Sequence, residues 1–78
     1  MSNDQTDREI QNLGRALRAA RLRRNMPQEL LEYKTGVAQE TISGIETGAR
    51  TNPLLRTVIK LARYLGVSIE DLLQGDRH

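Results

Sequence analysis

Cysteine is absent from this 78-residue chain, and so are phenylalanine and tryptophan. Without thiols there is neither a disulfide nor a thiolate metal site to staple a small fold. Two tyrosines make up the whole aromatic content, too few for the stacked platforms that grip single-stranded nucleic acid. The sole histidine, His78, is the last residue. No histidine–carboxylate cluster offers a general base or a metal site, so neither an enzyme nor a cofactor is expected. A membrane span needs an apolar run of about 18 residues, and none occurs. The polar stretch from Met1 to Glu9 lacks the basic start and apolar segment of a signal peptide. These absences predict a cytoplasmic protein without membrane association.

The charge that is present is unevenly placed. The net charge is only +2, yet Arg15, Arg18, Arg21, Arg23 and Arg24 crowd into one short stretch while the acidic residues are dispersed. Such a cluster fits an anionic partner, and it equally fits a solvated helix face.

No strand-like alternation occurs, and the apolar spacing predicts an all-α domain of five helices around one small core. Residues 1–8 carry little apolar surface and are expected to form a flexible arm. Helix one spans about Glu9 to Arg24, with Ile10, Leu13, Ala16, Leu17 and Ala20 inward. Asn25, which tolerates the left-handed conformation, follows it. Residues 28–47 read as two short helices around Gly36-Val37. Pro27 opens the first of them, which runs to Thr35, and the second runs from Gln39 to Thr47 and stops at Gly48. Gly36 can turn the chain in a left-handed conformation at no steric cost, and Val37 would pack in the corner. The second helix then offers Gln39, Glu40, Thr41, Ser43 and Gly44 outward, which fits a helix-turn-helix with its second helix in the DNA major groove. Asn52-Pro53 is expected to cap and open helix four, which carries Leu55, Val58, Ile59, Ala62 and Leu65 inward to Gly66. Ser68, three residues before Asp71, opens a fifth helix with Ile69, Leu72 and Leu73 inward. The domain is thus expected over residues 9–75, with 76–78 a tail.

From Leu13 to Leu73 the chain resembles the Cro/C1-type (Xre) helix-turn-helix family of bacterial and phage regulators. The strings that carry the likeness are LGRALRAAR, PQELLEYKTGVAQETISGIETG and TNPLLRTVIKLARYLGVSIEDLL. Gly36, Ile42 with Ile45, Glu46-Thr47-Gly48, Asn52-Pro53 and Leu65-Gly66-Val67 all fall at the family's spacing. The resemblance implies a five-helix, lambda-repressor-like domain that binds double-stranded operator DNA as a homodimer.

It also implies roles for single residues. Gln28 matches the glutamine that touches a phosphate and braces the recognition helix. Gln39 matches the first exposed reading position, where a glutamine can bond adenine N6 and N7. Glu40 could accept from cytosine N4, or its place near a helix N-terminus could explain it equally well. Thr41 and Ser43 can serve bases or phosphates, and Gly44 permits close backbone approach. Because Gln39–Thr47 contains no Lys or Arg, phosphate attraction falls to Arg50 and Thr51, to Lys34 and to the helix-one arginines, with Arg50 the leading backbone contact. Arg21 and Glu46 match an internal pair of the family, against the alternative of Arg21 as a further phosphate contact.

The sequence also departs from the family's pattern. Ala38 stands where a Ser or Thr usually caps the recognition helix, and Pro27 replaces a common serine cap. Glu32 occupies a usual alanine position at the helix crossing, so it must swing outward or find a partner. Thr35 is more polar than the usual aliphatic residue. Tyr64, Val67, Ile69, Leu72 and Leu73 are the expected dimer surface. The alternative to a repressor is an antitoxin-like or adaptor protein that binds a protein partner and uses DNA only for autoregulation. The short segment after helix five, Gln74 to His78, is weighed against it.

Overall fold

The computed structural model describes residues 4–74, with side chains from residue 5 onward. Five helices follow one another: α1 (Asp4–Arg23), α2 (Gln28–Thr35), α3 (Gln39–Thr47), α4 (Leu55–Leu65) and α5 (Ile69–Gln74). Among the described residues no strand is present. No helix in this span is long and apolar enough to cross a membrane.

The core gathers one stripe from each helix. Leu13, Ala16, Leu17 and Ala20 of α1 meet Leu31 of α2, Ile42 and Ile45 of α3, Val58, Leu61, Ala62 and Leu65 of α4, and Leu72 of α5. Met26 and Val37 fill the two connections flanking α2, and Val67 and Ile69 pack against the cluster from its edge. The long helix α1 is the platform on which both α3 and α5 lie. Where α1 crosses α3 the backbones nearly touch: a Cβ placed on Gly14 would run into the carbonyl oxygen of Ile45 and lie 3.1 Å from its carbonyl carbon. The hydrogen on Gly14 is what permits that crossing, and hence the height of α3 above the core.

Turn chemistry follows the sequence closely. Asn25 takes a left-handed φ of 55° after α1. Gly36 ends α2 at φ 77°, its N–H donating to the Glu32 carbonyl over 2.7 Å. Thr35 reinforces this turn. Its hydroxyl donates to the Leu31 carbonyl at 2.7 Å and accepts from the Val37 N–H at 3.2 Å. The polar residue at that position thus ties α2 to the connection that aims α3. Glu32 is exposed, so the carboxylate has swung outward. Ser68 accepts the Asp71 N–H at 2.9 Å, as a capping residue of α5 should.

Several expectations are corrected. Helix α1 begins at Asp4, not Glu9, and residues 5–8 are exposed on its first turns. An acidic side chain in the first turn, Asp7, favours that extension, which apolar spacing cannot report. Helix α4 starts at Leu55 with Leu54 in the capping position and no side-chain cap, two residues after the expected Pro53 opening. Its buried stripe begins only at Val58, and Leu55 is 66% exposed, so an earlier turn would bury nothing. Leu61, absent from the expected stripe, is among the most buried residues. Leu72, expected on a dimer surface, lies in the core at 1% exposure and cannot also face a partner. The 76–78 tail, including His78, and residues 1–3 lie outside the described residues.

Candidate nucleic-acid interface

Helix α3 turns Ile42, Ile45 and Glu46 into the molecule. Helical geometry then sends positions 40, 43, 44 and 47 to the other side, while Gln39, in the first turn, is exposed at the edge of the buried stripe. An open hollow runs along that side, lined by Gln28, Gln39, Glu40, Ser43, Gly44, Thr47 and Ala49. Five of the residues singled out from the sequence are therefore brought together, and Thr47 and Ala49 join them. Thr41 is half-buried and does not line the hollow. Thr51 lines a different hollow, with Asp7, Ile10 and Gln11 of α1. Lys34 lies on the outer surface of α2, its ammonium 6.0 Å from the centre of the Tyr33 ring.

A chain of polar contacts connects this surface to the core. Arg21 of α1 grips Glu46 of α3 with two bonds, Nε to Oε2 at 2.8 Å and Nη2 to Oε1 at 2.9 Å. Its remaining Nη1 donates to the Met26 carbonyl at 2.6 Å. The pair is sealed from solvent, with side-chain exposures of 7% and 2%. The bonds to Glu46 raise the pKa of the guanidinium. Burial opposes this, and the carboxylate charge adds to the increase, so Arg21 stays charged. Glu46 Oε1 also accepts from Gln28 Nε2 at 3.0 Å, and Gln28 Oε1 receives a long 3.5 Å bond from Gln39 Nε2. Gln39 thus stands at the end of a series of contacts that begins in the core, its last link long and exposed. Among the described residues, every buried side-chain nitrogen and oxygen has a partner.

The arginine cluster of α1 is not a single cationic face. Arg21 is buried against Glu46, and Arg24 donates to the Tyr64 carbonyl at 2.8 Å with its guanidinium 5.8 Å from that tyrosine's ring centre. Arg15 and Arg18 remain on the exposed side of the helix, opposite the buried stripe. Arg21 and Arg24 thereby tie the end of α1 to α3 and α4.

The α3 start is weakly fixed. Ala38 occupies the N-cap and offers no side-chain hydrogen bond, although its carbonyl accepts from Thr41 at 2.9 Å and Ile42 at 3.0 Å. The end is better tied: Gly48 takes φ 82°, Thr47 Oγ1 donates to the Gly44 carbonyl at 3.4 Å and accepts from the Ala49 N–H at 3.3 Å, and the Arg50 N–H donates to the Gly44 carbonyl at 2.9 Å. The hollow therefore presents an amide, hydroxyls and one carboxylate on a short, ribbed helix. Such groups can donate to and accept from the edges of bases. Among the described residues no group of three or more His, Cys, Asp or Glu could hold a metal ion.

Comparison with known proteins gives a consistent result. A family model described as helix-turn-helix matches residues 17–72. An uncharacterized HTH-type transcriptional regulator of Archaeoglobus fulgidus is 45% identical over 60 residues, which are 77% of this chain and 84% of the relative. Another, from Methanocaldococcus jannaschii, is 44% identical over 48 residues, 62% of this chain and 71% of the relative. The Bacillus subtilis regulator RghRB is 37% identical over 65 residues, 83% of this chain and 47% of the relative. No solved structure matches at a significant level.

Proposed function

The chain belongs to the Cro/C1-type helix-turn-helix family of DNA-binding transcriptional regulators, and on that premise we propose that it is a repressor occupying a palindromic operator as a homodimer. Helix α3 enters the major groove, and the hollow along its outward face meets the base edges. The observation that carries this reading is the series of contacts ending at Gln39. A glutamine beside Gln28, itself anchored on Glu46, is positioned to make a bidentate contact with adenine. Glu40, Ser43 and Gly44 flank it on the same face. Gln28, at the start of α2 and on the rim of the same hollow, takes the role of a phosphate contact beside it. Non-specific attraction falls to exposed cations outside α3, among them Lys34 of α2 and Arg15 and Arg18 of α1.

Selection of bound sites from random duplexes tests the proposal. The expected result is a palindromic motif whose preference relaxes at one base pair per half-site in Gln39→Ala. Failure to bind any duplex at low salt would favour the alternative of a partner-binding adaptor. For the dimer, the surface left after Leu72 is assigned to the core comprises Tyr64 and Leu73, both partly exposed, with half-buried Val67 and Ile69 beside them. Sedimentation equilibrium showing only monomer at high micromolar concentration, with and without operator, would remove that pairing.

A further inference from the structure

Position 44 lies in the middle of the α3 reading face and carries no side chain. The space its side chain would fill is already taken. A Cβ built on Gly44 would stand 2.7 Å from Cγ of Arg50, 3.0 Å from its Nε and 3.1 Å from its Cδ. The Arg50 stem thus lies across the helix at Gly44, and its backbone is fixed there by the bond from its N–H to the Gly44 carbonyl at 2.9 Å. Arg50 belongs to the loop after α3, yet its side chain is laid back over that helix. Contacts this close to Cγ and Cδ involve the middle of the side chain, so no small movement of its tip would relieve them.

We propose that Arg50 is a base-reading, specificity-determining residue: the glycine at 44 is the slot that lets a loop arginine deliver its guanidinium to the major-groove face of a helix without a cation of its own. This rests on the reading that α3 enters the major groove. It replaces the expectation that Arg50 is a phosphate anchor indifferent to sequence. The ligand chemistry follows from the fork of the guanidinium, whose paired N–H donors match the N7 and O6 acceptors of guanine. The site should therefore contain a G·C pair read by Arg50 in addition to the pair read by Gln39.

The test is selection from random duplexes with the wild-type chain, Arg50→Lys and Gly44→Ala, each also titrated against a selected duplex over a range of salt. Arg50→Lys keeps the charge and loses the fork. Gly44→Ala keeps the arginine and fills the slot. Alanine favours the helix over glycine, and both positions lie outside the buried core, so neither variant is expected to melt below the wild type, and the thermal midpoints are measured first. Both variants should lose roughly fivefold or more in discrimination at one G·C pair of the site, with the salt slope of Arg50→Lys unchanged. If the wild type selects a motif and Arg50→Lys selects the same motif with the same discrimination, Arg50 is a phosphate anchor and the proposal is overturned. If the wild type selects no motif at all, the major-groove reading fails and takes this proposal with it.

Discussion

Arg21 and Glu46 form the most consequential single contact, because it ties α1 to the helix that carries the reading face. A charge left alone after its buried partner is removed typically destabilises a fold by about 3–5 kcal/mol. With both side chains almost fully enclosed, Arg21→Ala is expected to lose that much stability in a urea titration. If the variant kept its unfolding midpoint and lost only DNA affinity, Arg21 would be a phosphate contact after all. Gly14 supplies a second test. An alanine there adds a methyl group against the Ile45 backbone, and overpacking of this kind costs about 1–3 kcal/mol. Alanine is otherwise the better helix former by about 1 kcal/mol. Net destabilisation by Gly14→Ala therefore reports the close crossing, and a more stable variant would show that α1 and α3 have room to spare.

Among the elements, α3 combines a firm end with an uncapped beginning. A serine or threonine at an N-cap satisfies one of the free N–H groups of the first turn, and its loss typically costs about 1 kcal/mol. Ala38→Ser is expected to raise stability by about that amount, measured as a shift in the denaturant midpoint at constant slope. Helix ends are legible in the sequence wherever a left-handed residue closes a helix. Asn25, Gly36, Gly48 and Gly66 all adopt positive φ, and the spacing of Ile42 and Ile45 is enough to orient α3. Starts are less legible. The expected cap at Asn52-Pro53 is overruled by tertiary burial, which begins only at Val58, while polar α1 runs five residues further than its apolar pattern. Within the site, the outward placement of Glu40, Ser43 and Gly44 follows from helical periodicity, whereas Gln39 is exposed because it lies in the first turn of α3. The positions of Arg50 and Thr51 do not follow from periodicity, because a loop carries none. The close packing at Gly14 has one signal in the sequence: a glycine inside an otherwise good helix usually marks a packing constraint.

At the scale of the whole molecule, the chain is a flattened body of 36 × 27 × 18 Å with a Cα radius of gyration of 11.6 Å. In the proposed dimer, two such copies side by side would suit half-sites one helical turn apart, about 34 Å. Its net charge of +2 is too small for strong non-specific attraction, and Arg21 and Arg24 are engaged internally. The proposed reading therefore confines recognition to a restricted surface: α3, the start of α2 and the loop through Arg50. Titration of the isotope-labelled protein with a selected duplex, followed by amide NMR shifts, measures that surface directly. The account predicts that the largest shifts fall on Gln28, on residues 39–44 and 47, and on residues 49–51. Shifts confined to α4 and α5, or none at all at low salt, would contradict it.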